Sequence, residues 1–527
     1  MKKMVFLPAL VAFAAIVILP FAVLLATALI HEPEMIRQLV QIFATERSTQ
    51  LLRNSLWVGS GATGLAVLIG LPLGFFLART NIHFRRVAGY LYLLPLLIPA
   101  YVAAIVWTSL LGANGSIHAW LVKYFGLAEG SLLIYGRGGA AWVLGLSYFP
   151  FITLLTISGL LGIDRRLEEA ARMIVGEWRI LKGITLPLIV PFVIAGALFV
   201  FVFTVSNYTV PALLRVNTYP IEIFSQFSAF YNHNRAVLTS LPLLGLTGIL
   251  IAISQWLMRG RCYVTLEGIS RRSARMDLGR WRGWGSLYVW LIIFLAGVLP
   301  LGVLIASSSS MNSYLVAFRS SGRPILTSLW VSGAAASLAV ILGFFLAYII
   351  ERWPAKWKNH LDILTLLPLA VPPTVLGIGL IKLWNRPSTE FIYSNFLIVI
   401  FALVGCFIPF AVKTLTSSFK QLNINMEEAA ILSGAGFGKT IAFIVLPLAK
   451  KGLVVSWTIC FIFCMGECAA TLLVVPAGVE LLANKIYTLM HYGVGKLTSA
   501  LCVILIFCTM IPILFVGWLF RKDLRHD

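Results

Sequence analysis

Twelve apolar runs, each long enough to cross a hydrocarbon core, dominate this chain and leave it few possible folds. A bilayer core about 30 Å thick needs about 20 apolar residues per helix. Runs of that kind fall near 5–30, 54–78, 89–112, 140–162, 187–210, 236–258, 286–308, 327–350, 361–384, 395–418, 452–474 and 498–520. No water reaches backbone polar groups at that depth, so each run must satisfy its own N–H and C=O groups as a helix. Composition agrees: 59% of the 527 residues are hydrophobic and 12% are charged, against about a quarter charged in soluble domains. The expected fold class is all-α, a polytopic membrane protein of about 12 transmembrane helices with the lipid bilayer as its solvent. The first run follows Lys2 and Lys3, but it exceeds the roughly 7–15 apolar residues of a signal peptide and reads as a retained helix.

The net charge of +21 does not point to nucleic acid, because the basic residues sit in short loops between apolar runs, where the positive-inside rule accounts for them. With the N-terminus in the cytoplasm, most of the 41 Lys and Arg fall on the cytoplasmic side, and both chain ends do too. The densest group is Arg259, Arg261, Arg271, Arg272, Arg275, Arg280 and Arg282, between the sixth and seventh runs. The seven cysteines form no C-x-x-C pair and no zinc-like cluster with histidine, so no metal site is expected. Cys460, Cys464 and Cys468 recur every four residues along one helix face and read as small packing residues.

The chain repeats itself. Ser55-Leu56-Trp57-Val58 recurs as Ser328-Leu329-Trp330-Val331, 273 residues later, and LLPLLIPAYV from Leu93 recurs as LLPLAVPPTV from Leu366 at the same offset. GFFLA occurs at Gly74 and at Gly343, and Pro150 stands as far before Glu169 as Pro409 does before Glu428. Six runs per half is an even number, so the two copies enter the membrane in the same orientation, as parallel repeats about an axis along the membrane normal. The expected organisation is a first repeat over 1–258, a basic cytoplasmic linker over 259–285 and a second repeat over 286–527, with a path between the halves. Prolines in the third run of each half, Pro99 and Pro372 among them, predict kinks beside that path.

One stretch stands apart from the hydrocarbon: MEEAAILSGAGFGKTIAFIVLPLA, Met426 to Ala449. Its end resembles a phosphate loop, yet the first glycine such a loop needs would be at Ser433, and a dinucleotide fingerprint from Gly434 would need glycine at Lys439. The residues before it are helix formers and not a strand. Helix, glycine turn, helix is the better reading, with Gly434 supplying the positive φ. A short exposed helix of this kind can dock into a groove on a soluble partner.

Glu428-Ala429-Ala430, Gly434 and Ile444-x-Leu446-Pro447 resemble the EAA loop of permease subunits of ABC importers, and Glu169-Ala170-Ala171, Gly176 and Ile184-x-Leu186-Pro187 form a first copy that is one residue shorter. In that family the loop is the coupling helix that sits in a cleft of the ATPase subunit. The L-L-P-L helices, the linker from Tyr263 to Arg282 and the NYTVPALL and MGECAATLL stretches are similar to fused two-domain permeases of the ferric-iron type, which are related to thiamine and aminoethylphosphonate permeases. The resemblance implies a type I importer permease fold in a bacterial inner membrane, two copies of a separate ATPase subunit with ATP and Mg bound there, a periplasmic solute-binding protein, and no cofactor or covalent chemistry on this chain. It implies import of a small solute, ferric iron first, with thiamine, aminoethylphosphonate or a polyamine as alternatives.

Glu467 falls inside the eleventh run, where a carboxylate costs about 2.5–3.5 kcal/mol on insertion scales and is a functional candidate by default. With Pro99 and Pro372 it is the expected lining of the translocation path. Tyr231 to Asn234, and Tyr487, His491 and Tyr492, lie in predicted outer loops suited to docking a binding protein. An ion-coupled secondary transporter would carry paired intramembrane carboxylates or broken midplane helices, and a membrane enzyme would need a convergent catalytic set.

Overall fold

The computed structural model describes residues 2–31, 45–113, 115–126, 134–258, 276–353, 358–492 and 495–519. Among these residues the only regular elements are helices, apart from one isolated bridge between Thr80 and Met276. Ten helices are long and apolar enough to cross a membrane, and two bent helix pairs complete the twelve expected spans. Several spans outrun their apolar cores. The second is Glu46–Arg79, 34 residues, and the eighth is Met311–Arg352, 42 residues. Their polar starts are invisible to a hydropathy reading, but they are held as helix by local bonds such as the Thr45 side chain accepting from the Ser48 N–H.

Proline shapes the spans in a repeated way. Four π-helical turns, Ala14–Ile18, Leu181–Thr185, Phe294–Val298 and Ile441–Val445, each lead straight into a Leu-Pro pair: Pro20, Pro187, Pro300 and Pro447. Proline cannot donate to the carbonyl four residues back and crowds it; a wider turn relieves both without exposing backbone to lipid. The third span of each half goes beyond the kink that was expected. Its backbone becomes extended at Ile98–Pro99 and at Val371–Pro372, with Pro99 at φ −53°, ψ 140° and Pro372 at φ −55°, ψ 137°. The pieces Lys358–Ala370 and Pro373–Trp384 meet at 103°.

Packing fixes the register of the repeats. Ser55 Oγ accepts the N–H of Tyr219 at 3.1 Å and Ser328 Oγ accepts that of Leu482 at 2.7 Å, so each matched serine pins the first residue of a short helix, Tyr219–Ser228 or Leu482–Met490. The GFFLA match is corrected by the same test. A methyl placed on Gly70 would lie 2.7 Å from Ile152 Cβ, and one on Gly343 would lie 2.9 Å from Ala411 Cβ. Ile152 and Ala411 are counterparts, so Gly343 answers to Gly70 and not to Gly74. Small residues here let the second and fourth spans of each half touch closely.

The halves in sequence are not the halves in space. The first span crosses to the second half, where Phe6 stacks on Tyr348 with ring centroids 5.8 Å apart and meets Phe437 edge-on at 5.5 Å. The seventh span crosses to the first half, where Tyr288 donates to the Ile69 carbonyl at 3.0 Å and Ser286 Oγ accepts from the His83 N–H at 3.0 Å. Each repeat therefore clasps the other. The linker is also shorter than expected: helix begins at Gly279, and Arg280 and Arg282 belong to it. Arg259, Arg261, Arg271, Arg272 and Arg275 lie outside the described residues.

Candidate functional site

Two repeated features carry the chemistry, one at an end of the bundle and one at its centre. The first is the pair of EAA helices, Arg165–Arg172 and Asn425–Leu432. Helical phase divides each motif. Glu169 and Ala170 are exposed with Ala171 half-buried, and Glu428, Ala429 and Ala430 repeat that pattern. The inward carboxylate is the preceding residue, which the motif reading passed over. Glu168 is buried and takes an ion pair from Arg79 at 2.9 Å, while Glu427 takes one from Arg352 at 2.9 Å. Arg79 and Arg352 are the last residues of the second and eighth spans. Each arginine also donates to carbonyls at the end of the neighbouring span, Arg79 to Leu160 at 2.9 Å and Arg352 to Leu422 at 2.7 Å. Each EAA helix is thereby fastened to two membrane helices by a buried charge.

The turns that follow differ. After Leu432, Gly434 takes φ +84°, its N–H reaches the Ile431 carbonyl at 3.0 Å, and the Ala435 N–H reaches Ala430 at 2.9 Å. This pair of bonds is a Schellman cap, which needs a residue without Cβ strain at that point. The first loop has no residue at positive φ. Gly176 instead precedes the next helix, its carbonyl accepting from Arg179 and Ile180 at 2.9 and 3.2 Å, as the Gly436 carbonyl accepts from Thr440. Gly176 is therefore the counterpart of Gly436, and the missing residue belongs to the turn. At the end of each helix stands an exposed apolar side chain, Met173 just past Arg172 and Leu432 as the last residue, each 88% accessible.

The second feature is a cavity of about 150 Å³ where the halves meet. Pro99 and Glu467 line it, while at Pro372 it is the neighbours Val371 and Pro373 that do so. Glu467 is not within the helix as expected. The eleventh span ends at Gly466, and Glu467 takes extended backbone ahead of a turn into the short helix Thr471–Val474. Irregular backbone at membrane depth is tolerated where it lines a cavity. The Glu467 carboxylate accepts the Ala470 N–H at 2.8 Å. Asp362, at the edge of the ninth span, does not line the cavity and is paired with Lys413 at 2.8 Å.

Aromatic rings bound this cavity. Towards the EAA helices, Phe151 and Phe203 of one half meet Phe463 and Phe410 of the other, with centroids 6.4 and 6.1 Å apart. On the far side the hydroxyls of Tyr208 and Tyr487 lie 3.1 Å apart. Tyr487 is thus buried between the halves and not in an exposed loop, whereas Tyr231 and Tyr492 are exposed. Among the described residues no three His, Cys, Asp or Glu side chains converge on a metal position. Cys460, Cys464 and Cys468 are all buried, the last lying beyond the helix end.

The model of the binding-protein-dependent transport system inner membrane component family matches residues 70–261 and again residues 339–522. The chain belongs to that family. It is a permease of the fused, two-copy kind. It is 25% identical to the ferric transport system permease protein FbpB of Actinobacillus pleuropneumoniae, over 92% of this chain and 73% of that protein. The molybdenum transport system permease protein ModB of Escherichia coli is 30% identical over 37% of this chain and 92% of its own length. The spermidine/putrescine permease PotC of the same species is 25% identical over 36% of this chain and 70% of its own. One such single-copy permease thus matches little more than a third of this double one.

The family settles a point that geometry leaves open. Broken helices at mid-depth were a mark expected of an ion-coupled carrier, and this permease has them at Pro99, Pro372 and Glu467; the two family matches place it among binding-protein-dependent importers all the same.

Proposed function

We propose that this permease imports ferric iron by alternating access between its two repeats, driven by ATP hydrolysis on two copies of a separate ATPase subunit that seat the helices carrying Glu169 and Glu428. ATP and Mg bind at those subunits and not on this chain. A periplasmic binding protein delivers the solute to the face with Tyr231 and Tyr492, and both chain ends are cytoplasmic, in keeping with six spans per repeat. The observation that carries the reading is the charge of the central cavity: among the described residues, Glu467 is its one charged lining residue, and no Lys, Arg or His lines it. Such a lining favours a cation and disfavours an oxyanion such as molybdate. The small volume suits an ion with a few waters better than an extended polyamine.

The test is uptake into proteoliposomes holding the permease with its ATPase inside and its binding protein outside. Ferric iron is expected to accumulate only with ATP. Uptake of molybdate or spermidine in its place would overturn the solute, and uptake without ATP would overturn the coupling.

A further inference from the structure

Asn207 and Glu467 are counterparts. Once the one-residue difference between the EAA loops is allowed for, they stand 260 residues apart, each just past the end of a span and each lining the central cavity. Their side chains make the same local bond: Asn207 Oδ1 accepts the Val210 N–H at 3.0 Å, and Glu467 Oε1 accepts the Ala470 N–H at 2.8 Å. Beyond that they part. Asn207 Nδ2 donates to the Tyr148 hydroxyl at 3.2 Å, whereas the counterpart of Tyr148 is Phe407, which has no hydroxyl to offer. The hydrogen bond that Glu467 accepts comes from a backbone amide, that of Ala470. A carboxylate placed there without a positive side chain is an uncompensated charge.

Two further groups point to what compensates it. Tyr101 and Ser206 line the same cavity, are 2% and 7% accessible, and carry hydroxyls with no hydrogen-bond partner. A buried hydroxyl left unsatisfied is costly and calls for a partner. We propose that the Glu467 carboxylate and the hydroxyls of Tyr101 and Ser206 form a transit site for a hard, oxygen-seeking metal cation at the centre of the path, with the first repeat contributing only the neutral Asn207. The proposal rests on the reading of the solute as a cation. One carboxylate and two neutral oxygens make a weak site, as conduction requires, since an ion must leave as readily as it enters. A resident metal would need the convergent set of ligands that is absent among the described residues.

Terbium(III), a hard trivalent ion whose emission is sensitised by nearby tyrosine, is the probe. The full chain in nanodiscs is titrated with terbium alone and then challenged with gallium(III). Glu467→Gln, which keeps a hydrogen-bonding group but not the charge, is expected to weaken the sensitised site about tenfold or more, as loss of a desolvated charge partner does. Tyr101→Phe and Ser206→Ala should each weaken it less, and Asn207→Asp should tighten it by restoring symmetry. If Glu467→Gln unfolds the protein, the Tyr101→Phe and Asn207→Asp shifts, opposite in sign, still decide. Unchanged terbium affinity in folded Glu467→Gln, or in both of those variants, overturns the site even if iron is transported. Terbium binding that follows this pattern in a permease that carries no iron upholds the site and discards ferric iron as the solute.

Discussion

The two EAA helices share an anchor and differ in almost everything built around it. Both fix a buried glutamate to the terminal arginine of a long span. In the first repeat the second bond to that glutamate comes from Thr185 at 3.1 Å, on the segment leaving the loop. In the second it comes from Tyr348 at 2.8 Å, on the long span itself. The first loop turns without a residue at positive φ and runs into the continuous span Trp178–Val205, whereas the second turns on Gly434 and runs into two pieces, Phe437–Leu448 and Lys450–Gly466, that meet at 71°. The first loop is joined by one continuous helical span to the neighbourhood of Asn207. The second is separated from Glu467 by a joint. The half with the joint also holds the cavity's charged residue, Glu467.

The sharpest way to break this comparison is to remove the shared anchor. Arg79→Ala and Arg352→Ala each strand a buried glutamate, and losing one partner of such a pair costs about 3–5 kcal/mol. Thermal unfolding in detergent should show both losses and roughly equal ones. A loss confined to one repeat would mean that the symmetric anchor is symmetric in appearance only. Next in size are the second bonds. Tyr348→Phe and Thr185→Val each remove a donor to a buried carboxylate, about 1.5–3 kcal/mol apiece. Because Tyr348 sits on the membrane span and Thr185 on the loop's exit, Thr185→Val alone should loosen the exit segment, read as faster amide exchange over residues 178–185.

The turn comes third. Gly434→Ala forces a side chain into the left-handed region, about 1–2 kcal/mol, while Gly176→Ala, where an added methyl would meet nothing within 4 Å, should be nearly silent. In the assembled transporter, Gly434→Ala is expected to lower uptake per ATP hydrolysed with nucleotide affinity unchanged. Equal effects at the two glycines would restore Gly176 as the partner of Gly434.

How much of this was legible in the sequence follows from what kind of order each feature needs. The spans were readable because hydrophobic length is a local property, and the duplication because SLWV and LLPL keep one offset. The EAA helices were readable as motifs but not in phase. Glu169 and Glu428 stand out by pattern, yet which of two adjacent glutamates turns inward depends on where the second and eighth spans end, at Arg79 and Arg352. The matching of Asn207 with Glu467 was hidden by the deletion between Val175 and Gly176, which shifts the offset from 259 to 260, and by the unlike residue types at the two places. The exchange of the first and seventh spans leaves no mark on periodicity, since a lipid-facing helix and one clasping a neighbouring repeat are equally apolar.

The smallest expected effect probes a brace beside the first anchor. Beside Arg79, the Met276 N–H donates to the Arg79 carbonyl at 2.8 Å, and Asp277 accepts from the Asn81 side chain and from the Gly279 N–H at 3.1 Å. These bonds hold its carboxyl below the usual carboxylate range, the Gly279 amide first and Asn81 next. A carboxyl with a depressed folded-state pKa contributes in full above its unfolded value, about 3.9, and loses that contribution as pH falls through the folded one. Exchange of the Met276 amide, corrected for its intrinsic pH dependence, should therefore be protected at neutral pH and lose protection as the solution is acidified past that range. Asp277→Asn keeps an acceptor for Gly279 but does not titrate, so its protection should be slightly lower at neutral pH and flat with pH. The same pH dependence in Asp277→Asn would show that another group holds the linker against the first anchor. A flat profile would tie that brace to Asp277, and would give the first anchor a fixed point in the segment that leads into the seventh span.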